Sequence, residues 1–158
     1  MKKIVFSFFL IFLTMVMCGC SKNETTNKYM ELSKNIKNEI EINTENITSE
    51  ATYANYEVDG VIVQFILVRG TDGVVRIAFN TCQACNPSPT AYFIQKGEYL
   101  ECQNCKNKFH IDKIGVEKGG CNPAPVEEKT IKGEKIVIDA SYVESYKDKF
   151  ENWKGPVK

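Results

Sequence analysis

Two C-x-x-C pairs form the strongest chemical signal in the sequence. Cys82-Gln-Ala-Cys85 is followed, after sixteen residues, by Cys102-Gln-Asn-Cys105. Each pair can wrap a tight turn whose two thiolates point at one ion, and two such turns complete a tetrahedron around it. The spacing therefore predicts one centre with four thiolate ligands: Cys82, Cys85, Cys102 and Cys105.

The N-terminal segment has the pattern of an export signal. Lys2 and Lys3 precede an apolar run over 4–17, which is shorter than the ~20 residues of a membrane-spanning helix. The run ends in Cys18-Gly19-Cys20, which resembles a bacterial lipobox and implies cleavage after residue 19 and lipidation of Cys20. An uncleaved anchor or a plain signal peptide is the alternative. We thus expect a signal peptide at 1–19, a polar and partly helical tether at 20–38, and a metal-binding domain at 39–158.

Disulfide bonds are the alternative to a metal centre, since an exported protein enters an oxidising compartment. A disulfide bond within one C-x-x-C pair is typically redox-active rather than structural. Disulfide bonds between the two pairs would leave Cys121 without a cysteine to pair with. Metal or cluster binding is therefore the preferred interpretation. Thiolates are soft ligands that suit zinc, copper and iron-sulfur centres alike.

Three further residues belong to the candidate site. Cys121 lies in a loop of turn-forming residues and is a candidate fifth ligand, a resolving thiol or a small buried apolar side chain. Phe109 is expected to cover the site from water. His110 should alternate away from Phe109 along a strand, so we expect it at the surface or in a supporting position rather than as a ligand.

Composition limits the possible classes of protein. The 158 residues carry 20 Lys+Arg and 20 Asp+Glu, and 43% of them are apolar. Loss of residues 1–19 would remove two lysines and no acid, giving 18 − 20 = −2. A strongly basic nucleic-acid binder is excluded, and the chain has enough apolar residues for one packed core.

The patterning after residue 39 predicts a mainly β fold. Turn residues separate short apolar or alternating runs, and one of these runs, Val61–Val68, is apolar enough to be buried on both faces. We expect a small antiparallel β-sandwich or barrel with these strands: Thr52–Val58, Val61–Val68, Val74–Phe79, Ala91–Ile94, Glu98–Glu101, Thr130–Lys132 and Lys135–Ile138.

A short C-terminal helix should complete the fold. Ser141-x-x-Glu144 has the form of a capping box. A stripe of apolar residues follows at helical spacing and should pack on the core: Val143, Tyr146, Phe150 and Trp153.

Several strings resemble the C-terminal domain of the FtrD-like membrane iron-sulfur family, roughly over residues 39–140. They are Phe79-Asn80-Thr81-Cys82-x-x-Cys85, Leu100-x-Cys102-x-Asn104-Cys105-x-x-x-Phe109 and Gly119-Gly120-Cys121-Asn122-Pro123-Ala124-Pro125. The resemblance implies an iron-sulfur centre and an association with bacterial iron transport. The chain departs from the family at Asn80, Thr81 and Lys106, where an acidic residue, Ala and Gly are typical.

A fainter resemblance is to Rieske iron-sulfur domains. Cys102, Cys105 and Phe109 have the offsets of the Rieske Cys, His and Phe, and a Pro-Ala-Pro loop follows at 123–125. This similarity implies a Rieske-like β fold with cysteine in place of histidine.

The sequence thus indicates a lipid-anchored, extracytoplasmic protein of the cell membrane that binds a metal or an iron-sulfur cluster. Its expected role is electron transfer or metal handling for an iron or other metal uptake system, with a membrane-embedded transporter or redox protein as partner. Export of an unfolded chain favours zinc or copper over a cluster built in the cytoplasm. A thiol-disulfide oxidoreductase and a structural zinc domain for protein recognition are the alternatives. With one histidine and no catalytic motif, an enzyme is not favoured.

Overall fold

The computed structural model describes residues 28–155, which form eleven β-strands and one short α-helix. In chain order they are β1 (Tyr29–Leu32), β2 (Glu39–Asn43), β3 (Thr52–Val58), β4 (Val61–Arg69), β5 (Val75–Cys82), β6 (Phe93–Lys96), β7 (Tyr99–Cys102), β8 (Lys108–His110), β9 (Pro123–Pro125), β10 (Thr130–Lys132), β11 (Lys135–Asp139) and α1 (Ala140–Glu144). Single turns of 3-10 helix occur at Ile111–Lys113 and Lys147–Lys149. Within this part of the chain, no helix is long and apolar enough to span a bilayer.

A five-stranded sheet with the order β1-β3-β4-β5-β9 runs through the middle of the molecule. The β3–β4–β5 part is the antiparallel meander that the sequence predicts. Strand β5 continues to Cys82, three residues beyond its predicted end, because β9 pairs with it there. The first cysteine of the candidate site is therefore the last residue of a central strand.

Both faces of this central sheet are buried. Along β4, Phe65 and Leu67 face one apolar cluster, whereas Ile66 and Val68 face a second cluster on the opposite side. Side chains of a strand alternate between faces, so a strand with a core on each side must be apolar throughout. This arrangement confirms the prediction that the run starting at Val61 is buried on both faces.

Two small antiparallel sheets cover the two faces. The sheet β10-β11-β2 lies over the first cluster through Ile40, Ile42, Ile136 and Ile138. The sheet β6-β7-β8 lies over the second through Phe93 and Leu100. The predicted mainly β, antiparallel fold class is confirmed, with the core divided into two layers. The β6–β7 turn falls at 97–98, since Lys96 pairs with Tyr99 and extends β6 beyond its predicted end.

The segment expected to be a tether has a different structure where it is described. Tyr29–Leu32 is a strand, not a partial helix, and pairs in parallel with β3 at the edge of the otherwise antiparallel sheet. Met30 and Leu32 pack against the first apolar cluster. Tertiary pairing with β3 therefore overrides the weak helical spacing of these residues.

The C-terminal helix is shorter than its pattern predicts. It ends at Glu144, and its cap is Asp139, whose side chain accepts hydrogen bonds from the N–H groups of Ser141 and Tyr142. The predicted capping box is absent, because Ser141 lies inside the helix rather than at its N-cap, and Glu144 binds Lys34. The apolar stripe nevertheless packs on the first cluster as expected: Val143, Tyr146, Phe150 and Trp153.

Candidate metal centre

Both C-x-x-C segments form the same tight turn at the end of a strand. After β5, the Asn86 N–H donates to the carbonyl of Cys82 at 3.0 Å. After β7, the Lys106 N–H donates to the carbonyl of Cys102 at 2.9 Å. In the first turn, the Cys85 N–H also points at Cys82 Sγ, 3.3 Å away. A backbone donor directed at sulfur favours the thiolate form that a metal requires.

The stretch 91–93 joins the two turns. The Cys82 N–H donates to the carbonyl of Ala91 at 2.9 Å, and the Gln103 N–H donates to the carbonyl of Tyr92 at 2.7 Å. Phe93 then pairs with Cys102 across the β6–β7 hairpin. One continuous backbone segment thus sets the separation between the two cysteine pairs.

A third segment, the loop leading into β9, approaches the first turn. Pro123 pairs with Cys82, and the Gln83 N–H donates to the carbonyl of Asn122 at 3.2 Å. The Cys82 thiol donates to the carbonyl of Cys121 at 3.4 Å. These bonds place Cys121 beside the C-x-x-C turns.

Five free cysteines meet at this point of the described chain. The sulfurs of Cys82, Cys85, Cys105 and Cys121 all lie within 4.8 Å of one another. Cys102 is not a member of this mutually close group, although its sulfur lies 4.0 Å from that of Cys85. Cys82 and Cys102 are fully buried, and the other three thiols are half-buried. The four cysteines predicted as ligands therefore lie near one another, and Cys121 replaces Cys102 in the mutually close group.

The surroundings differ among the thiols. Burial raises the pKa of Cys82 above its usual range and raises the pKa of Cys102 to about 11. Burial also acts to raise the pKa of Cys105, but hydrogen bonds from the Asn107 N–H and from neighbouring thiols outweigh it and lower the value to about 7. The pKa of Cys121 is raised, first by the hydrogen bond that its thiol makes with Cys105 and then by burial.

The donor set fits a soft metal. A tetrahedral ion with ligand bonds of about 2.3 Å separates its sulfurs by about 3.8 Å. Four sulfurs that all lie within 4.8 Å of one another are compatible with that spacing. Thiolates alone suit zinc, copper(I) and iron-sulfur centres.

The two aromatic neighbours singled out from the sequence lie on different sides of β8. Phe109 packs in the second apolar cluster with the cysteines and contacts the ring of Phe93 edge-on, with centroids 6.0 Å apart. His110 instead accepts the Asp112 N–H at Nδ1 and lies edge-on against Tyr99. Phe109 is thus an apolar neighbour of the site, and His110 is not part of the thiol group.

A row of buried amides crosses the central sheet on the face that carries the cysteines. Gln64 donates to Asn55 Oδ1 at 2.7 Å and accepts at Oε1 from Asn80 Nδ2 at 2.7 Å. Asn80 Oδ1 accepts the Phe93 N–H at 2.7 Å. At the far end, Asn55 donates to Glu31 at 2.8 Å. The row thereby holds β6 against β5 just before the first cysteine.

Sequence reasoning did not single out this row as a functional element. Glu31 as a carboxylate only accepts and the Phe93 N–H only donates, so the two ends together set the orientation of every amide between them. The available signal was the presence of Asn55 and Gln64 at inward-facing positions of apolar strands. A buried amide at such a position requires a partner.

The fold and the thiol group define a mainly β domain with a cluster of cysteines that could bind a metal. The model of the family described as "membrane iron-sulfur containing protein FtrD-like" matches residues 47–150, and the chain belongs to this family. No curated protein matches the chain significantly. A solved structure of a quaternary ammonium Rieske monooxygenase with a bound inhibitor is similar, with 15% identity and a TM-score of 0.41. That match covers 63% of this chain and 30% of the monooxygenase chain.

Proposed function

We propose that this protein is a non-catalytic metal or iron-sulfur binding protein of the cell membrane, anchored by a lipid on Cys20 at the extracytoplasmic face. It serves a membrane-embedded iron or other metal uptake system by passing on electrons or metal. The observation that carries the proposal is the convergence of three segments on one group of sulfurs within 4.8 Å of one another. Four of the five thiols hold the centre.

The position of the sulfurs supports exchange with a partner. Cys82 is fully buried, whereas Cys85, Cys105 and Cys121 are half-buried. A purely structural zinc site is normally closed off from exchange, and a centre that passes on electrons or metal needs an approachable edge. Membership in an iron-sulfur family also supports a metal or iron-sulfur centre at this site.

A thiol-disulfide oxidoreductase is the second candidate, and two observations favour it. Local hydrogen bonds lower the pKa of Cys105 to about 7, and the sulfurs of Cys85 and Cys102 are 4.0 Å apart. However, both C-x-x-C pairs follow strands, and within the described residues neither starts a helix whose N-terminus could activate a thiol. Burial also raises the pKa of Cys82 and Cys102.

Elemental analysis with a visible absorption spectrum of the purified mature protein tests the proposal. We expect either iron with sulfide, or zinc, or copper, together with at least four free thiols after denaturation. A chelator should lower the unfolding temperature, because structural metal binding contributes ~10 kcal/mol or more to folding. A metal-free protein with fewer than four free thiols, stabilised against unfolding only in the absence of reductant, would support the oxidoreductase instead.

A further inference from the structure

The chain brings five thiols to a centre that needs four. We propose that the fourth ligand beside Cys82, Cys85 and Cys105 is Cys121, and that Cys102 is a buried supporting thiol outside the coordination shell. This assignment rests on the proposed function, since it presumes that the site holds one metal ion.

The distances carry the first step of the argument. Four ligands of one ion must all be close to one another, not only in pairs. The set Cys82, Cys85, Cys105 and Cys121 meets this condition within 4.8 Å. Cys102 does not join it, although its thiol contacts those of Cys85 and Cys105. The two C-x-x-C pairs therefore contribute three ligands, and the loop before β9 contributes one.

The loop that carries Cys121 is held in place by several specific contacts. Gln83 Oε1 accepts the Gly119 N–H at 3.2 Å, and Asn122 Nδ2 donates to the carbonyl of Gly119 at 2.9 Å. Gly119 and Gly120 have φ of +83° and +59°, a conformation that glycine adopts at little cost. These bonds join the loop to the first cysteine turn and so preorganise Cys121.

Cys102, like Cys82, is a fully buried side chain of the second apolar cluster. It is the last residue of β7, has no exposed surface and packs in the second apolar cluster with Phe93 and Leu100. A buried free cysteine behaves as a small apolar side chain. Its sulfur lies 4.0 Å from that of Cys85.

Cobalt(II) titration of three proteins tests the assignment: wild type, Cys121→Ser and Cys102→Ser. The charge-transfer absorption of cobalt-thiolate bonds rises with the number of sulfur ligands. We expect Cys121→Ser to lose one thiolate's share of this absorption and to bind cobalt more weakly, while Cys102→Ser keeps the wild-type spectrum. Loss in Cys102→Ser, in both variants or in neither would overturn the assignment. A wild type that binds neither cobalt nor an iron-sulfur cluster would instead overturn the proposed function.

Native alkylation of the wild type provides a second test that does not depend on the folding of a variant. Iodoacetamide should modify the half-buried Cys121 in the metal-free protein, and bound cobalt should protect it at least tenfold. Cys102 should remain unmodified in both states because it is fully buried. Equal alkylation of Cys121 with and without bound cobalt would show that it is not a ligand.

Discussion

Lys106 shows how a single residue can depart from the requirements of the turn that it occupies. It directly follows Cys105 and has a φ of +64°, in the left-handed region. A side chain with a Cβ is disfavoured there, whereas glycine is not. This is also a position where the family resemblance implies glycine. The turn therefore forms with lysine at a cost in stability.

Replacing this lysine should stabilise the protein. We expect Lys106→Gly to raise the free energy of unfolding by about 1 kcal/mol, because it removes the left-handed strain. Denaturant unfolding of the metal-loaded protein measures the change. Lys108→Gly is the matched control: Lys108 lies in β8, so glycine there should destabilise by about 0.5–1 kcal/mol. Equal effects of the two substitutions would contradict the argument.

At the scale of elements, polar bonds rather than apolar contacts alone set the position of the metal-binding hairpin on the central sheet. Asn80 is the junction: its side chain binds both Gln64 and the Phe93 N–H, and its carbonyl accepts the indole N–H of Trp153 at 2.9 Å. Strand β5, strand β6 and the C-terminal segment therefore meet at one buried residue, Asn80.

Truncating the Asn80 side chain should destabilise the protein. We expect Asn80→Ala to lower the free energy of unfolding by roughly 2–3 kcal/mol, because it removes the acceptor of the buried Phe93 N–H and the donor to Gln64. Metal affinity should fall as well, since β6 carries the segment between the two cysteine turns. Thermal unfolding and metal titration measure the two effects. Asn46→Ala, at an exposed position, is the control and should change stability by less than about 0.5 kcal/mol.

A second polar contact joins the turn after β4 to the end of β8. Asp112 accepts hydrogen bonds from the Thr71 N–H at 2.8 Å and the Thr71 hydroxyl at 2.7 Å. These bonds, followed by the nearby charges of His110 and Arg76, hold the pKa of Asp112 below its ordinary value of 3.8. Asp72, which pairs with Arg76, is the other carboxylate at this contact.

This contact predicts a pH dependence. Because the pKa of Asp112 is lower in the folded than in the unfolded state, its stabilisation is present above pH 3.8 and is lost as the pH falls through the folded value. We expect Asp112→Asn to be less stable than wild type at neutral pH, with the difference shrinking below pH 4. Unfolding curves from pH 7 to pH 3 measure it. A constant difference across that range would show that the charge of Asp112 contributes nothing.

At the scale of the whole molecule, the described residues enclose their own core on both faces of the central sheet. The first described strand, β1, already pairs with the central sheet. The chain between this strand and Cys20 is therefore short, and a lipid on Cys20 would keep the domain close to the membrane surface. The expected signal peptide and lipidation site lie outside the described residues.

The anchor can be tested directly. We expect Cys20→Ala to release the protein from the membrane fraction or to block its processing, since several acyl chains supply the stable attachment that one chain cannot. Radiolabelled lipid incorporation and membrane fractionation measure this. Cys18→Ala is the matched control and should remain lipidated. If both variants remain labelled and membrane-bound, the lipobox interpretation is wrong.

Much of the fold could be predicted because local patterns and burial agree. The β3–β4–β5 meander was predicted because turn residues separate strands whose apolar content matches their burial, and the β10–β11 hairpin because Gly133 falls at its turn. The candidate cysteines were predicted because a C-x-x-C turn is a local structure that needs no tertiary partner.

Tertiary structure decided the features that depend on pairing between segments far apart in the sequence. The strand at Tyr29–Leu32 forms because β3 offers it an edge, and α1 begins at Ala140 because Asp139, rather than Ser141, caps it. The grouping of the thiols also depends on distant pairing. The pairing of β9 with β5 brings Cys121 to the site, although it lies 36 residues beyond Cys85 (121 − 85). The packing of β7 buries Cys102. Spacing along the chain encodes a turn, but mutual distances among three separate segments are set only when the sheets pack.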